Sequence, residues 1–156
     1  RSSTRRFVFE AFLPSDKKEK QLVLKDLINE TRTIILYEAP HRVVKTLKEL
    51  KVALGDRRLT LVRELTKKFE TTFCTTLSEA IKYYEDHETK GEYVLVVEGR
   101  HHEEIIMEEQ AQWMTLSVPE HMDIYLSKGM NKKDAMKAVS SDRGVTKRDI
   151  YQQLIE

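Results

Sequence analysis

The chain has 156 residues, 40% of them hydrophobic, which allows one ordinary core with a small appendage, and no run approaches the roughly 20 apolar residues that cross a bilayer. With 27 basic and 26 acidic side chains the net charge is +1, so a nucleic-acid role needs a local basic surface, because global attraction is excluded. Cys74 is the only cysteine, which rules out an intrachain disulfide and a thiolate-built zinc site and fits a reducing cytoplasm.

The chain opens at Arg1 without methionine or a signal pattern, as a fragment or processed chain would, and runs into the strand-like Phe7-Val8-Phe9, ending near Phe12-Leu13-Pro14. Asp16 with Glu19 resembles a capping box and predicts a helix with Leu24, Leu27 and Ile28 on one side. Thr33 to Tyr37 reads as a second strand whose apolar run Ile34-Ile35-Leu36 predicts helices on both faces. Pro40 marks a change of direction into a helix carrying Val44, Leu47, Leu50 and Leu54, with Gly55 as its stop.

Leu59 to Leu65 is the third predicted strand, and Glu70 to Cys74 a weaker fourth that pairs antiparallel with it. Thr76 and Glu79 form another capping box, opening a helix with Leu77, Ala80, Ile81 and Tyr84 on one face. Gly91 then introduces a fifth strand, Tyr93 to Val97. The pattern predicts an α/β fold: a five-stranded mixed, mostly parallel sheet flanked by helices, followed by a small helical module.

After Gly99 the sequence turns acidic. Residues 85 to 109 hold nine acids against two bases, whereas residues 128 to 156 hold seven bases against four acids. The expected organisation is an α/β lobe over residues 1–99, an acidic linker over 100–118 that closes on the hinge-like Ser117-Val118-Pro119, and a helix-turn-helix-like tail over 119–156. Three short helices are expected in the tail, with Gly129 and Gly144 at helix ends and Asn131 and Thr146 as caps. Met136, Val139, Ile150, Tyr151 and Leu154 would form its core, and Trp113 with Met114 would anchor the linker to the lobe or to a second chain.

Tyr37-Glu38-Ala39-Pro40-His41-Arg42, Arg63-Glu64-Leu65-Thr66-Lys67 and Gly91-Glu92 each sit at the end of a predicted strand, where open α/β sheets gather ligands. Together with Phe9 to Pro14 and Gly91 to Gly99, these stretches resemble the C-terminal half of the bacterial small-subunit ribosomal RNA 2′-O-ribose methyltransferase family, within the tetrapyrrole methylase superfamily. The tail, from Leu126 to Tyr151, is similar to that family's helical extension. Ala11 stands where the family usually has glycine, and Cys74-Thr75 where it usually has Arg-Gly.

The resemblance implies a bilobal cytoplasmic enzyme that binds S-adenosylmethionine between two lobes and methylates a cytidine ribose of small-subunit ribosomal RNA. The partners it implies are that RNA and an N-terminal lobe, whose proline- and glycine-rich loop has no counterpart here; a homodimer is a further possibility. It also implies that Tyr37, Glu38 and Leu65 line the cofactor pocket. The alternative for Glu38 is a helix N-terminal acid that favours the dipole.

Arg42, Arg63 and Lys67 suit phosphate contacts, with Glu64 orienting one of them, although Arg63 and Glu64 could instead pair with neighbouring charges at a sheet end. Lys132, Lys133, Arg143, Lys147 and Arg148 form either a second RNA-contacting surface or an ordinary solvated face. His41 reads as a surface residue before a proton-transfer group, and His101-His102-Glu103-Glu104 as a solvated linker before a metal cluster. The rival readings are a tetrapyrrole methyltransferase lobe and a non-catalytic RNA-binding or dimerisation module.

Overall fold

The computed structural model describes residues 5–155. They form two compact units, one ending at His101 and the other beginning at His102.

The first unit contains β1 (Phe7–Ala11), α1 (Lys17–Leu27), β2 (Thr33–Glu38), α2 (Pro40–Leu54), β3 (Arg58–Arg63), β4 (Thr71–Thr76), α3 (Leu77–Asp86) and β5 (Tyr93–Val97). Local signals set the helix starts. Asp16 accepts the backbone N–H groups of Lys18 and Glu19 at 2.9 and 3.0 Å, and Thr76 accepts that of Glu79 at 3.3 Å, so donors left free by the first helical turn are satisfied. Helix α2 starts instead on Pro40, whose missing N–H would have had no helical partner.

The strand order is β1-β2-β5-β3-β4. Only β1 and β2 pair in parallel; β5 runs antiparallel to both β2 and β3, and β3 to β4. The sheet is therefore mixed, as expected, but it is not mostly parallel. Strands β2 and β3 do point the same way, as their helical crossover requires, yet β5 is inserted between them in the opposite sense.

A second correction concerns the faces. Leu24, Leu27, Val43, Leu47, Leu50, Leu54, Leu77 and Ala80 from α1, α2 and α3 share one core with Ile34, Leu36, Leu59, Leu61, Tyr93, Leu95 and Val97. These strand residues alternate along their strands, so α1, α2 and α3 all cover the same face of the sheet. Each fully buried leucine there contributes about 2 kcal/mol. The opposite face carries Ile35, Tyr37, Val94 and Val96, half-buried or exposed. The run Ile34-Ile35-Leu36 is continuous because that second face is apolar too, without a helix of this unit upon it.

The second unit contains α4 (His102–Met114), α5 (Val118–Ser127), α6 (Lys132–Arg143) and α7 (Lys147–Ile155). The segment expected to be an acidic linker is thus largely a helix that packs against α6. Nor is Ser117-Val118-Pro119 a hinge. Ser117 and Glu120 form a complete capping box: the Glu120 N–H donates to Ser117 Oγ at 3.3 Å and the Ser117 N–H to Glu120 Oε2 at 2.8 Å.

Asn131 caps α6, and Gly144 ends it in the left-handed region at φ 64°, where an added Cβ would run into the Gln110 side chain of α4. Thr146 with Asp149 starts α7 by a similar reciprocal pair of bonds. Val118, Met122, Ala135, Val139 and Ile150 form this unit's core, with Met136 and Leu154 against it. Tyr151, expected in that core, is exposed. Among the described residues no helix is long and apolar enough to cross a membrane.

Candidate active site

The three polar clusters of the sequence meet at one end of the sheet. Cross-strand register places Glu38 of β2 opposite Tyr93 of β5, and Tyr93 opposite Arg63 of β3, in a single row. Because β5 runs the other way, its beginning, with Gly91-Glu92 just before it, meets the far ends of β2 and β3. Here a cavity of about 540 Å³ opens, lined by Phe12, Tyr37, Ala39, Leu65, Thr66 and Val94, with Glu38, Glu92 and Tyr93 completing its wall. All three sequence-predicted cofactor residues, Tyr37, Glu38 and Leu65, border it.

Its surfaces are apolar and aromatic. Tyr37 meets Phe9 and Phe12 edge to face at ring distances of 5.1 and 5.8 Å, and Leu65 stays 44% exposed. Backbone strain gathers at the same place. Among the described residues, the non-glycine positions at positive φ are Ala11 (51°), Glu64 (54°) and Thr66 (66°), and each is in or next to a residue of this wall. Such conformations persist where the surrounding structure imposes them, characteristically around ligand sites. Ala11 therefore occupies a backbone position suited to glycine, at an irregularity in the β1–β2 register. Strand β3 stops at Arg63 for the same reason, before the turn at Glu64.

The Glu38 carboxylate points away from solvent and is 1% exposed. Thr46 Oγ1 donates to one of its oxygens at 2.6 Å, the Ala39 N–H donates to the other at 2.9 Å, and Arg42 Nε lies 3.5 Å from that second oxygen. The side chain thus clamps the entry of α2. Arg42 also donates to the Leu13 carbonyl at 3.4 Å, tying the β1–α1 connection to the same clamp. Thr46 is absent from the sequence-based candidates, though a signal existed: it is a polar residue in the buried stripe formed by Val43, Leu47, Leu50 and Leu54.

Glu64 and Lys67 form a closed charge cluster at the cavity mouth. Glu64 accepts the Glu92 N–H at 2.7 Å, and Lys67 Nζ donates to Glu64 at 3.3 Å and to Glu92 at 2.9 Å. The Glu92 N–H, more than Lys67, holds the Glu64 carboxyl below its usual range, and the bond to Glu92 raises the Lys67 ammonium. One lysine thus sits between two carboxylates at the sheet end, with half of its side chain still exposed. Gly91 is needed there at φ 75°, because an added Cβ would lie 2.5 to 2.8 Å from Glu64 side-chain atoms.

Arg63 is separated from this group. It shares the row of Tyr93 on the helix-covered face and lines a different recess. His41 is exposed at the second position of α2, and His101 lies 3.8 Å from Glu98.

In the second unit the predicted basic surface divides. Lys132, Lys133, Lys147 and Arg148 are exposed at the starts of α6 and α7. Arg143 is not on that surface: it is 8% exposed, and its guanidinium donates to the Leu116 carbonyl at 2.6 Å and to His121 Nδ1 at 3.1 Å, with Met114 Sδ at 3.8 Å. The other ring nitrogen of fully buried His121 meets Asp142 at 3.1 Å, Tyr125 donates to the same carboxylate at 2.5 Å, and Trp113 stacks on the imidazole at 4.1 Å. Burial lowers the His121 pKa below its ordinary value against the opposing pull of Asp142, while the bond to Asp142 pushes the Tyr125 hydroxyl up to about 12. Trp113 and Met114 thus anchor α4 to its own helical unit.

Comparison with known proteins places these features in a family context. The family model described as tetrapyrrole (corrin/porphyrin) methylases matches residues 1–81. A Bacillus subtilis protein named ribosomal RNA small subunit methyltransferase I is 46% identical over 145 residues, which are 93% of this chain and 49% of the relative. The protein of the same name from Halalkalibacterium halodurans is 40% identical over 148 residues, 95% of this chain and 50% of the relative. The chain spans about half the length of these curated relatives. A cobalt precorrin-4 methyltransferase, a cobalamin biosynthetic enzyme of known structure, is 23% identical, with a TM-score of 0.41 over 58% of this chain and 39% of the other.

Proposed function

Because the chain belongs to the tetrapyrrole (corrin/porphyrin) methylase family, we propose that it is one lobe of an S-adenosylmethionine-dependent methyltransferase that modifies a cytidine ribose 2′-oxygen of small-subunit ribosomal RNA. The observation that carries this reading is the cavity at the shared end of β2, β5 and β3, where strained loops frame an aromatic and apolar wall. The names of the relatives favour RNA over a tetrapyrrole as the substrate.

The residues present fit an adenosine. The Tyr37 ring and Leu65 offer exposed apolar surface for a base, and the main chain at Glu38 and Ala39 lies beside them for polar recognition. S-adenosylmethionine would supply the activated methyl group. Glu38, Thr46 and Arg42 would hold this edge of the cavity rigid, which methyl transfer needs because donor and acceptor must be held in line. Exposed Lys132, Lys133, Lys147 and Arg148 would attract the RNA backbone.

The test compares this chain with the complete enzyme. The chain alone is expected to give no turnover on small-subunit RNA, since it supplies one side of the cleft, whereas the complete enzyme methylates a cytidine ribose. Tyr37→Ala in the complete enzyme should weaken S-adenosylmethionine binding roughly tenfold, the scale of removing one aromatic ring from a stacking surface. Unchanged donor affinity in both Tyr37→Ala and Leu65→Ala would remove the cavity from the proposal.

A further inference from the structure

The first unit contains a second recess, of about 310 Å³, that the cavity above does not use. Arg63, Thr71, Thr72, Phe73, Tyr84 and Tyr93 form most of its wall. Tyr93 contributes to the walls of both recesses. Within this wall Arg63 is the anomaly: its Nε is closed off from solvent without a hydrogen-bond partner, the only buried side-chain nitrogen or oxygen among the described residues in that state. Its cross-strand row makes the contrast plain, since the Glu38 carboxylate at the other end has Thr46, Ala39 and Arg42 around it.

Two acceptors of the wall are directed at Lys90 rather than at Arg63 Nε. Glu88, the acidic residue of the wall, is bound by Lys90 Nζ at 2.7 Å, and the Tyr93 hydroxyl accepts the Lys90 N–H at 3.3 Å. A guanidinium cannot lose its charge at accessible pH, so one with a desolvated and unsatisfied N–H calls for an anion. Thr71, exposed on the edge strand β4 and directly opposite Arg63 in the β3–β4 register, adds a hydroxyl donor on the same face.

We propose that this recess is a phosphate-binding subsite, in which the Arg63 guanidinium and the hydroxyl of Thr71, its cross-strand partner, hold one phosphate group of an RNA backbone. The chemistry is a planar fork of N–H donors meeting two phosphate oxygens. The Tyr93 residue shared by the two walls gives the subsite a use: one phosphodiester fixed there restricts where the neighbouring ribose can lie. The assignment of the phosphate to RNA rests on the function proposed above, whereas the existence of an oxyanion site does not.

Calorimetric titration of this chain with inorganic phosphate, a short single-stranded RNA, and the same RNA carrying uncharged methylphosphonate linkages separates these points. The expected result is saturable phosphate binding that competes with the RNA, weaker binding of the methylphosphonate RNA, and a loss of roughly tenfold or more in both phosphate and RNA affinity in Arg63→Met. Arg63→Met should keep the wild-type melting temperature or exceed it, because it removes an unpaired buried donor while retaining most of the length of the side chain. Arg63→Lys should fold and bind phosphate with intermediate affinity.

Equal phosphate affinity in the wild type and Arg63→Met overturns the subsite, as does a melting temperature lowered in both variants, which would make Arg63 a packing residue. Loss of phosphate binding with unchanged RNA affinity overturns the RNA assignment. Methylation by the complete enzyme decides the proposed function separately.

Discussion

Replacing Arg143 with methionine distinguishes a structural cation from a nucleic-acid contact, because the two roles move different observables. The side chain is 8% exposed and bonds to the Leu116 carbonyl at 2.6 Å and to His121 Nδ1 at 3.1 Å. Methionine fills comparable space but leaves a half-buried carbonyl and a buried ring nitrogen without donors. It also leaves Asp142 beside His121 without the nearby positive charge. A hydrogen bond from a charged donor contributes about 1.5–3 kcal/mol net, and breaking a buried polar network costs about 3–5 kcal/mol, so a loss of about 3 kcal/mol is expected. For a unit of this size each kcal/mol moves the midpoint by about 4–8 °C, giving a fall of about 15 °C.

The chain carries its own probe for this assay. Trp113 is the single tryptophan, belongs to the second unit and stacks on His121 at 4.1 Å, so its fluorescence follows unfolding of that unit alone. Circular dichroism should show the α/β transition unmoved. A loss below about 1 kcal/mol accompanied by weaker RNA binding would refute the burial argument and return Arg143 to the RNA-facing surface.

Three further outcomes can be checked. The buried His121 ring has a pKa below its ordinary 6.5, so the unfolded chain takes up a proton first as pH falls. The second unit should be fully stable above about pH 6.5 and lose stability on acidification toward the lower folded value, a slope that Trp113 fluorescence would follow and His121→Leu should flatten. Ala11→Gly should stabilise the first unit by about 0.5–1 kcal/mol in chemical denaturation, since Ala11 is held at φ 51°, where left-handed geometry costs a non-glycine residue about 1–2 kcal/mol and glycine gives part of that back in entropy. A fall in stability would mean that the methyl group packs usefully. Replacing Lys132, Lys133, Lys147 and Arg148 with glutamine should lower the salt slope of RNA binding by up to about 0.7 for each phosphate no longer neutralised, and an unchanged slope would leave those residues as a solvated face.

Much of this chain could be read locally. Asp16, Thr76, Asn131 and Gly144 mark helix boundaries through bonds to backbone groups within about a turn, which is why sequence alone located them. The meeting of Tyr37-Glu38 with the Arg63–Lys67 segment was also legible, because both follow strands joined by a helical crossover and so pointing the same way, whereas Gly91-Glu92 reaches them only because β5 runs antiparallel to both. Ser117 and Glu120 carried an equally local signal that was masked by Pro119, a residue as suited to a helix's first turn as to a hinge.

Pairing partners distant in sequence decided the rest. The place of β5 between β2 and β3 depends on which edges meet, and with it the antiparallel character of the sheet and the single face that α1, α2 and α3 cover. The fate of each cation was settled in the same way. Lys67 finds Glu92 25 positions away and Arg143 finds His121 22 positions away, whereas Arg63 Nε finds no partner. Residue type and spacing show that a charge exists. Only the folded chain decides whether that charge is neutralised, buried or left for a ligand, because electrostatic pairing acts through space between elements that the sequence keeps apart.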